Sequence, residues 1–183
     1  MEAPSPADPE QIAKALNTIH NPRSQPHNVK MANDYLHQCE QQQGFPQFIL
    51  SIYTQAPQSL MRVSSLILLT NVVKRGWGRR KSEHTRSITS EEKELLRGAI
   101  LEAYRMHDMK HHKHFNQLIK HLAKLDFPQN FPALQDFMMA GLTQLLECLR
   151  RDEKALEADW ALALLSTVKI VMKEFSNKRM AHK

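Results

Sequence analysis

The sequence predicts an all-α chain of about four stacked antiparallel helix pairs, wound as a right-handed α-α superhelix, and three observations predict it. Apolar residues recur at helical spacing almost throughout, without strand-like alternation. Proline, glycine and Asx residues cut that pattern into eight segments joined by short connections. The first helices of successive pairs begin near residues 8, 45, 90 and 131, a spacing of about 37–45 that reads as an internal repeat.

Asp8 and Pro9 supply an N-cap and a first-turn proline for a helix carrying Ile12, Ala13, Leu16 and Ile19, which Asn21-Pro22 breaks. A second helix, from about Pro26 to Gln41, places Val29, Ala32, Leu36 and Cys39 on one face, and Gly44 ends it. Phe45-Pro46 opens a third helix, with Phe48, Ile49, Ile52 and Tyr53 facing inward, and Ala56-Pro57 closes it. The fourth, from about Gln58 to Trp77, is apolar almost all round, which suits a helix packed between neighbours. Residues 78–87 form a basic loop without periodicity.

Thr89 and Glu92 have the spacing of a capping box, in which hydroxyl and carboxylate each satisfy a backbone N–H of the first turn. Leu95, Leu96, Ala99, Ile100, Ala103 and Tyr104 continue that fifth helix. The sixth, about His111 to Leu125, carries Phe115, Leu118, Ile119, Leu122 and Ala123. Pro132 starts a seventh with Leu134, Phe137, Met138, Leu142, Leu145, Leu146 and Leu149. The eighth, about Ala158 to Phe175, presents Trp160, Leu164, Val168, Val171, Met172 and Phe175.

The period matches the roughly 40–47 residues of HEAT and armadillo repeats, whose helix pairs bury their apolar faces only by stacking into a solenoid. We expect a tail over 1–7, a repeat domain over 8–178 and a second tail over 179–183 that continues into further repeats. No apolar run approaches the roughly 18–20 residues that cross a bilayer. Cys39 and Cys148 lie in apolar patterns, which suits two buried thiols of a reducing compartment. A net charge of +6 favours an acidic partner without choosing among nucleic acid, an anionic membrane and protein.

Three stretches in order resemble the importin-β (karyopherin-β) N-terminal domain. Lys30-Met31-Ala32-Asn33-Asp34-Tyr35-Leu36, leading to Gly44-Phe45, is similar to the family's second helix, with Asn33 where the family has Glu. Met61-Arg62-Val63-Ser64-Ser65-Leu66-Ile67-Leu68-Leu69-Thr70-Asn71, with Trp77 six residues on, matches "Val-Arg-x-x-Ala-x-x-x-Leu-Lys-Asn…Trp" without a gap. Leu125-Asp126-Phe127-Pro128-Gln129-Asn130-Phe131-Pro132-Ala133-Leu134 resembles "Asp-Phe-Pro-x-x-Trp-Pro-x-Leu", with Phe131 replacing Trp. Ile88 to Leu96 is similar to the family's link between them, and Lys173 to Arg179 resembles the importin-eleven branch.

The resemblance implies a nuclear transport receptor, without cofactor or catalysis, that moves between nucleus and cytoplasm. It implies Ran in its GTP form, nucleoporin Phe-Gly repeats and protein cargo as partners, cargo being bound mostly by later repeats. By position, the second helices of the first three pairs would receive Ran. Their candidate residues are Lys30, Asp34 and Gln38, then Thr70, Asn71 and Lys74, then Gln117, Lys120 and Lys124. The family's Lys-Asn pair falls on Thr70 and Asn71, so the lysine is lost and Lys74, one turn on, is the replacement charge. A solvated polar face is the competing reading of all nine, and a HEAT scaffold without affinity for Ran is the competing function.

Lys74, Arg75, Arg79, Arg80, Lys81 and Arg86 surround the basic loop, but only Trp77 interleaves with them, so a solvated loop is favoured over nucleic-acid binding. His107, His111, His112, His114 and His121 include an i, i+4 pair, yet straddle a helix break with no nearby cysteine to complete a zinc site. Trp77 and Trp160 read as packing residues, and Asp152, Glu153, Glu157 and Asp159 as exposed charge. No phosphate-binding glycine loop, nucleophile elbow or carboxylate pair is present, so we expect no enzyme.

Overall fold

The computed structural model describes residues 8–78, 86–106, 109–150 and 158–181, and all the regular structure among them is helical. The helices are α1 (Pro9–His20), α2 (Pro26–Glu40), α3 (Phe45–Gln55), α4 (Ser59–Gly76), α5 (Ser90–Arg105), α6 (His112–Asp126), α7 (Pro132–Arg150) and α8 (Ala158–Ala181). A single 3₁₀ turn, Met109–His111, precedes α6. The tail over 1–7, most of the basic loop, His107, and Asp152, Glu153 and Glu157 lie outside the described residues. The punctuation placed every start to within about two residues, and only α8 runs further than the sequence suggests, since no proline or glycine follows Phe175 to stop it.

Contacts divide the chain into two compact units, residues 1–96 and 97–183, the division falling within α5. In the first unit α1 packs on α2 and α3 on α4, and α1 also packs on α4. Asp8 caps α1, its carboxylate accepting from Glu10 N–H at 3.0 Å. α1 and α2 pack on each other across the short connection 21–25, which makes them antiparallel. The core is Ile12, Leu16, Leu36, Phe45, Ile49, Tyr53, Leu66, Leu69 and Val73, all buried. Trp77 is 2% exposed, and Lys93 Nζ lies 5.7 Å from its ring centre, so it packs and does not serve as a platform.

Gly44 joins α2 to α3 with φ at +80°, a left-handed conformation that other residues adopt only with strain. Its N–H donates to Glu92 Oε1 at 2.7 Å. Glu92 thereby does more than complete the capping box, whose two bonds are Thr89 N–H to Glu92 Oε2 at 2.9 Å and Glu92 N–H to Thr89 Oγ1 at 3.2 Å. Arg86 Nη2 donates to the same carboxylate at 2.5 Å, and Gln47 Nε2 to the Glu92 carbonyl at 3.0 Å. Ile88 N–H meets the Gly76 carbonyl at 3.0 Å, which fixes the segment entering α5 to the end of α4.

In the second unit α6 and α7 both pack on α8. Arg97 bonds Asp126 through Nε at 3.0 Å and Nη2 at 2.6 Å, while Tyr104 meets Phe115 edge-on, so α5 and α6 run antiparallel. Tyr104 also meets Phe137 edge-on at 5.3 Å. Asn116 with Thr167 and Lys120 with Glu174 advance in the same direction, so α6 and α8 run parallel. Between them lies a buried uncharged chain: Tyr104 Oη to Thr167 Oγ1 at 2.9 Å, Thr167 Oγ1 to Asn116 Oδ1 at 2.6 Å, and Asn116 Nδ2 to Ser166 Oγ at 3.1 Å. Gly141 lets α8 come close to α7, since a Cβ there would stand 2.8 Å from a Leu164 methyl. Cys39 is buried as expected, but Cys148 is half-buried, because the last turns of α7 are incompletely covered.

Candidate protein-binding surface

In the first unit α4 contacts α1 and α3, and its C-terminal end meets that of α2, where Arg75 bonds the buried Glu40 carboxylate. His37 Nδ1 lies 3.6 Å from the same carboxylate. Those neighbours bury most of α4, and Leu60, Val63, Ile67, Asn71 and Lys74 share an open face, with Ser59 and Arg75 exposed beside it. The steps of three and four residues between them keep all five on one face, and fourteen residues of helix span about 21 Å. Leu60 is 60% exposed and Ile67 38%, whereas Val63 and Asn71 are half-buried and Lys74 is exposed. Lys30, Asp34 and Gln38, at successive steps of four, form the exposed face of α2.

Thr70 does not join this surface. It is 7% exposed, and its hydroxyl donates to the Leu66 carbonyl at 2.7 Å, so its polar atom is used inside the helix. The expectation that Thr70 presents a contact is thus corrected, and Asn71 beside it keeps a partly open side chain. Leu60 and Ile67 are exposed although an apolar helix packed between neighbours suggests their burial.

In the second unit the open face of α6 is polar except for Leu125, which is exposed near its C-terminal end. Lys113, Gln117 and Lys124 are exposed, and Lys120 is half-buried with Nζ 3.9 Å from Glu174 Oε1. Of the basic residues around the loop, Arg75 and Arg86 are each held by a buried carboxylate, and only Lys74 of the described ones stands exposed without an ion pair among the described residues. That removes two cations from a nucleic-acid surface. His111 is 3% exposed, and no three His, Cys, Asp or Glu side chains converge on a metal position among the described residues. Trp160 is half-buried on α8.

Burial alone would raise the Glu92 pKa, but hydrogen bonds from Arg86 and from the Thr89 and Gly44 amides, with the arginine charge, hold it below the usual glutamate value. Burial pushes the Cys39 thiol up and keeps it protonated.

Residues 32–105 match the family model of the importin-beta N-terminal domain. No curated protein and no solved structure matches the chain. The matched segment contains Asp34, Gln38, Asn71 and Lys74, together with the whole of α3, α4 and α5.

Proposed function

From the premise that residues 32–105 are an importin-β N-terminal domain, we propose that this chain is the N-terminal segment of a nuclear transport receptor and binds Ran in its GTP form. The family match carries the reading, and the placement of six candidates supports it: Lys30, Asp34, Gln38 and Lys74 are exposed in the first unit, as are Gln117 and Lys124 in the second. Asn71 and Lys120 contribute from half-open positions. Such a segment works by equilibrium, Ran-GTP stabilising one conformation of the receptor over another. Phe-Gly repeats of nucleoporins and protein cargo are its further partners, and it moves between nucleus and cytoplasm.

The test is retention of purified Ran on the immobilised chain, loaded either with a GTP analogue or with GDP. Selective retention of the GTP-analogue form is the expected result. Equal retention of both forms, or of neither, overturns the reading in favour of a scaffold built from the same repeats.

A further inference from the structure

One side of the α7–α8 pair is apolar and lies open. On α7, Met139, Leu142, Leu146 and Leu149 follow one another at steps of three and four, so they share one face of the helix. On α8, Leu162, Leu165 and Met172 form a matching row, interrupted by the exposed Lys169. Met139, Leu146, Leu149, Leu162, Leu165 and Met172 are each between 46% and 67% exposed. Phe137 and Thr167 face the other way, toward Tyr104 of α5. The half-buried Leu145, Ala161 and Val168 lie between the rows and the buried close approach of Gly141 to Leu164, so the two rows flank the seam where α7 and α8 meet.

We propose that this face pairs with the same face of a second copy of the chain. The six side chains amount to roughly 600 Å² of apolar surface, the upper end of what a monomer leaves open. Two such faces together clear the roughly 1,000 Å² that a specific interface needs. The charges beside the rows are self-complementary, since the exposed acids Asp136 and Glu147 belong to α7 and the exposed Lys169 and Lys173 to α8. In a two-fold pair one patch meets itself, and with α7 of each copy over α8 of the other the acidic border meets the basic one twice. A face of a single sign would repel its own copy. Phe137 and Thr167 both contact Tyr104, and Gly141 lies against Leu164, so α7 and α8 run antiparallel with Asp136 and Lys169 at nearly the same height. A two-fold axis parallel to the helices therefore sets each Asp136 opposite the other copy's Lys169. This surface shares no residue with the one considered for Ran and does not depend on that reading.

Sedimentation equilibrium of the whole chain, from micromolar to hundreds of micromolar, reads the association. The parent is expected to shift from one chain to two as its concentration rises. Leu146→Ser combined with Leu162→Ser should weaken that association about 10-fold or more. Both positions are exposed, so the thermal melt of this variant at low concentration should match the parent and exclude misfolding. Asp136→Lys should weaken the association severalfold, and adding Lys169→Asp should restore it, because the facing pair is then exchanged. A parent that stays a single chain throughout overturns the inference and leaves the face to a different polypeptide. Association that the serine pair does not weaken also overturns it, by placing the interface elsewhere. A loss at Asp136→Lys that Lys169→Asp fails to rescue overturns the pairing of α7 with the other copy's α8.

Discussion

Each of the two units is held by its own internal chemistry. In the first, buried carboxylates sit where helices meet: Glu40 joins the ends of α2 and α4 through Arg75, and Glu92 joins the start of α3, the segment around Arg86 and the first turn of α5. Among the described residues the second unit has Arg97 with Asp126 and, more loosely, Lys120 with the buried Glu174, and at its centre an uncharged chain through Tyr104, Thr167 and Asn116. A buried ion pair fails badly when one partner is lost, because the other is left charged without water. A neutral network loses only a polar group's solvation, and its protonation does not change near neutral pH. The first unit should therefore answer to pH and to single charge deletions, and the centre of the second to changes of shape.

The largest expected effect is at Glu92. Glu92→Ala strands Arg86 and removes the acceptor of the Gly44 and Thr89 amides, which should cost about 3 kcal/mol of unfolding free energy in urea titrations. The pH dependence follows from the lowered folded pKa. A carboxyl whose pKa falls on folding contributes its full stabilisation above the unfolded value, about 4.3, and loses it as pH drops through the folded value. Stability of the parent chain should thus decline below about pH 4.3, and Glu92→Gln should reduce that slope. An unchanged slope in the variant would place the acid-sensitive tie elsewhere and undo the contrast.

A smaller effect is expected at Thr167. Val is nearly the same shape, so Thr167→Val leaves the packing and deletes the hydroxyl between Tyr104 and Asn116, both buried. Loss of about 1–2 kcal/mol is expected from two polar groups left short of a partner. Because burial raises the Tyr104 pKa above its ordinary value, that phenol stays neutral through physiological pH. The cost should be the same at pH 5 and pH 8, and a cost that grows with pH would mean that a titrating group takes part.

Local chemistry made most of the fold legible. Pro9, Pro26, Pro46 and Pro132 each sit in the first turn of a helix, where their missing N–H costs nothing. The Thr89–Glu92 capping box spans three residues and could be read directly. The bond from Gly44 to Glu92 joins positions 48 residues apart and has no sequence signature, so the larger role of Glu92 could not be. The same limit applies to the surface. On α4, polarity does not tell inside from outside: Thr70 turns inward and bonds Leu66, while Leu60 and Ile67 point to solvent. On α6 the two faces are better separated, with Leu125 exposed and Asn116 and Asp126 buried as exceptions, and there Gln117 and Lys124 lie open as polarity indicated.

The smallest expected effect concerns that contrast between α4 and α6. The open face of α6 carries Lys113, Gln117, Lys120 and Lys124, with Leu125 exposed at its end, so a contribution to an acidic partner is expected to be mainly electrostatic. Lys120 is already engaged by Glu174, which leaves Lys113 and Lys124 as the exposed charges to remove. The double change Lys113→Ala and Lys124→Ala should slow association with GTP-analogue-loaded Ran about two- to threefold at low salt and leave its dissociation rate unchanged. Exposed charges of this kind contribute less than about 1 kcal/mol each because water and salt screen them. Faster dissociation in this variant would mean that the lysine stems of α6 pack against the partner, so that their role is not electrostatic alone.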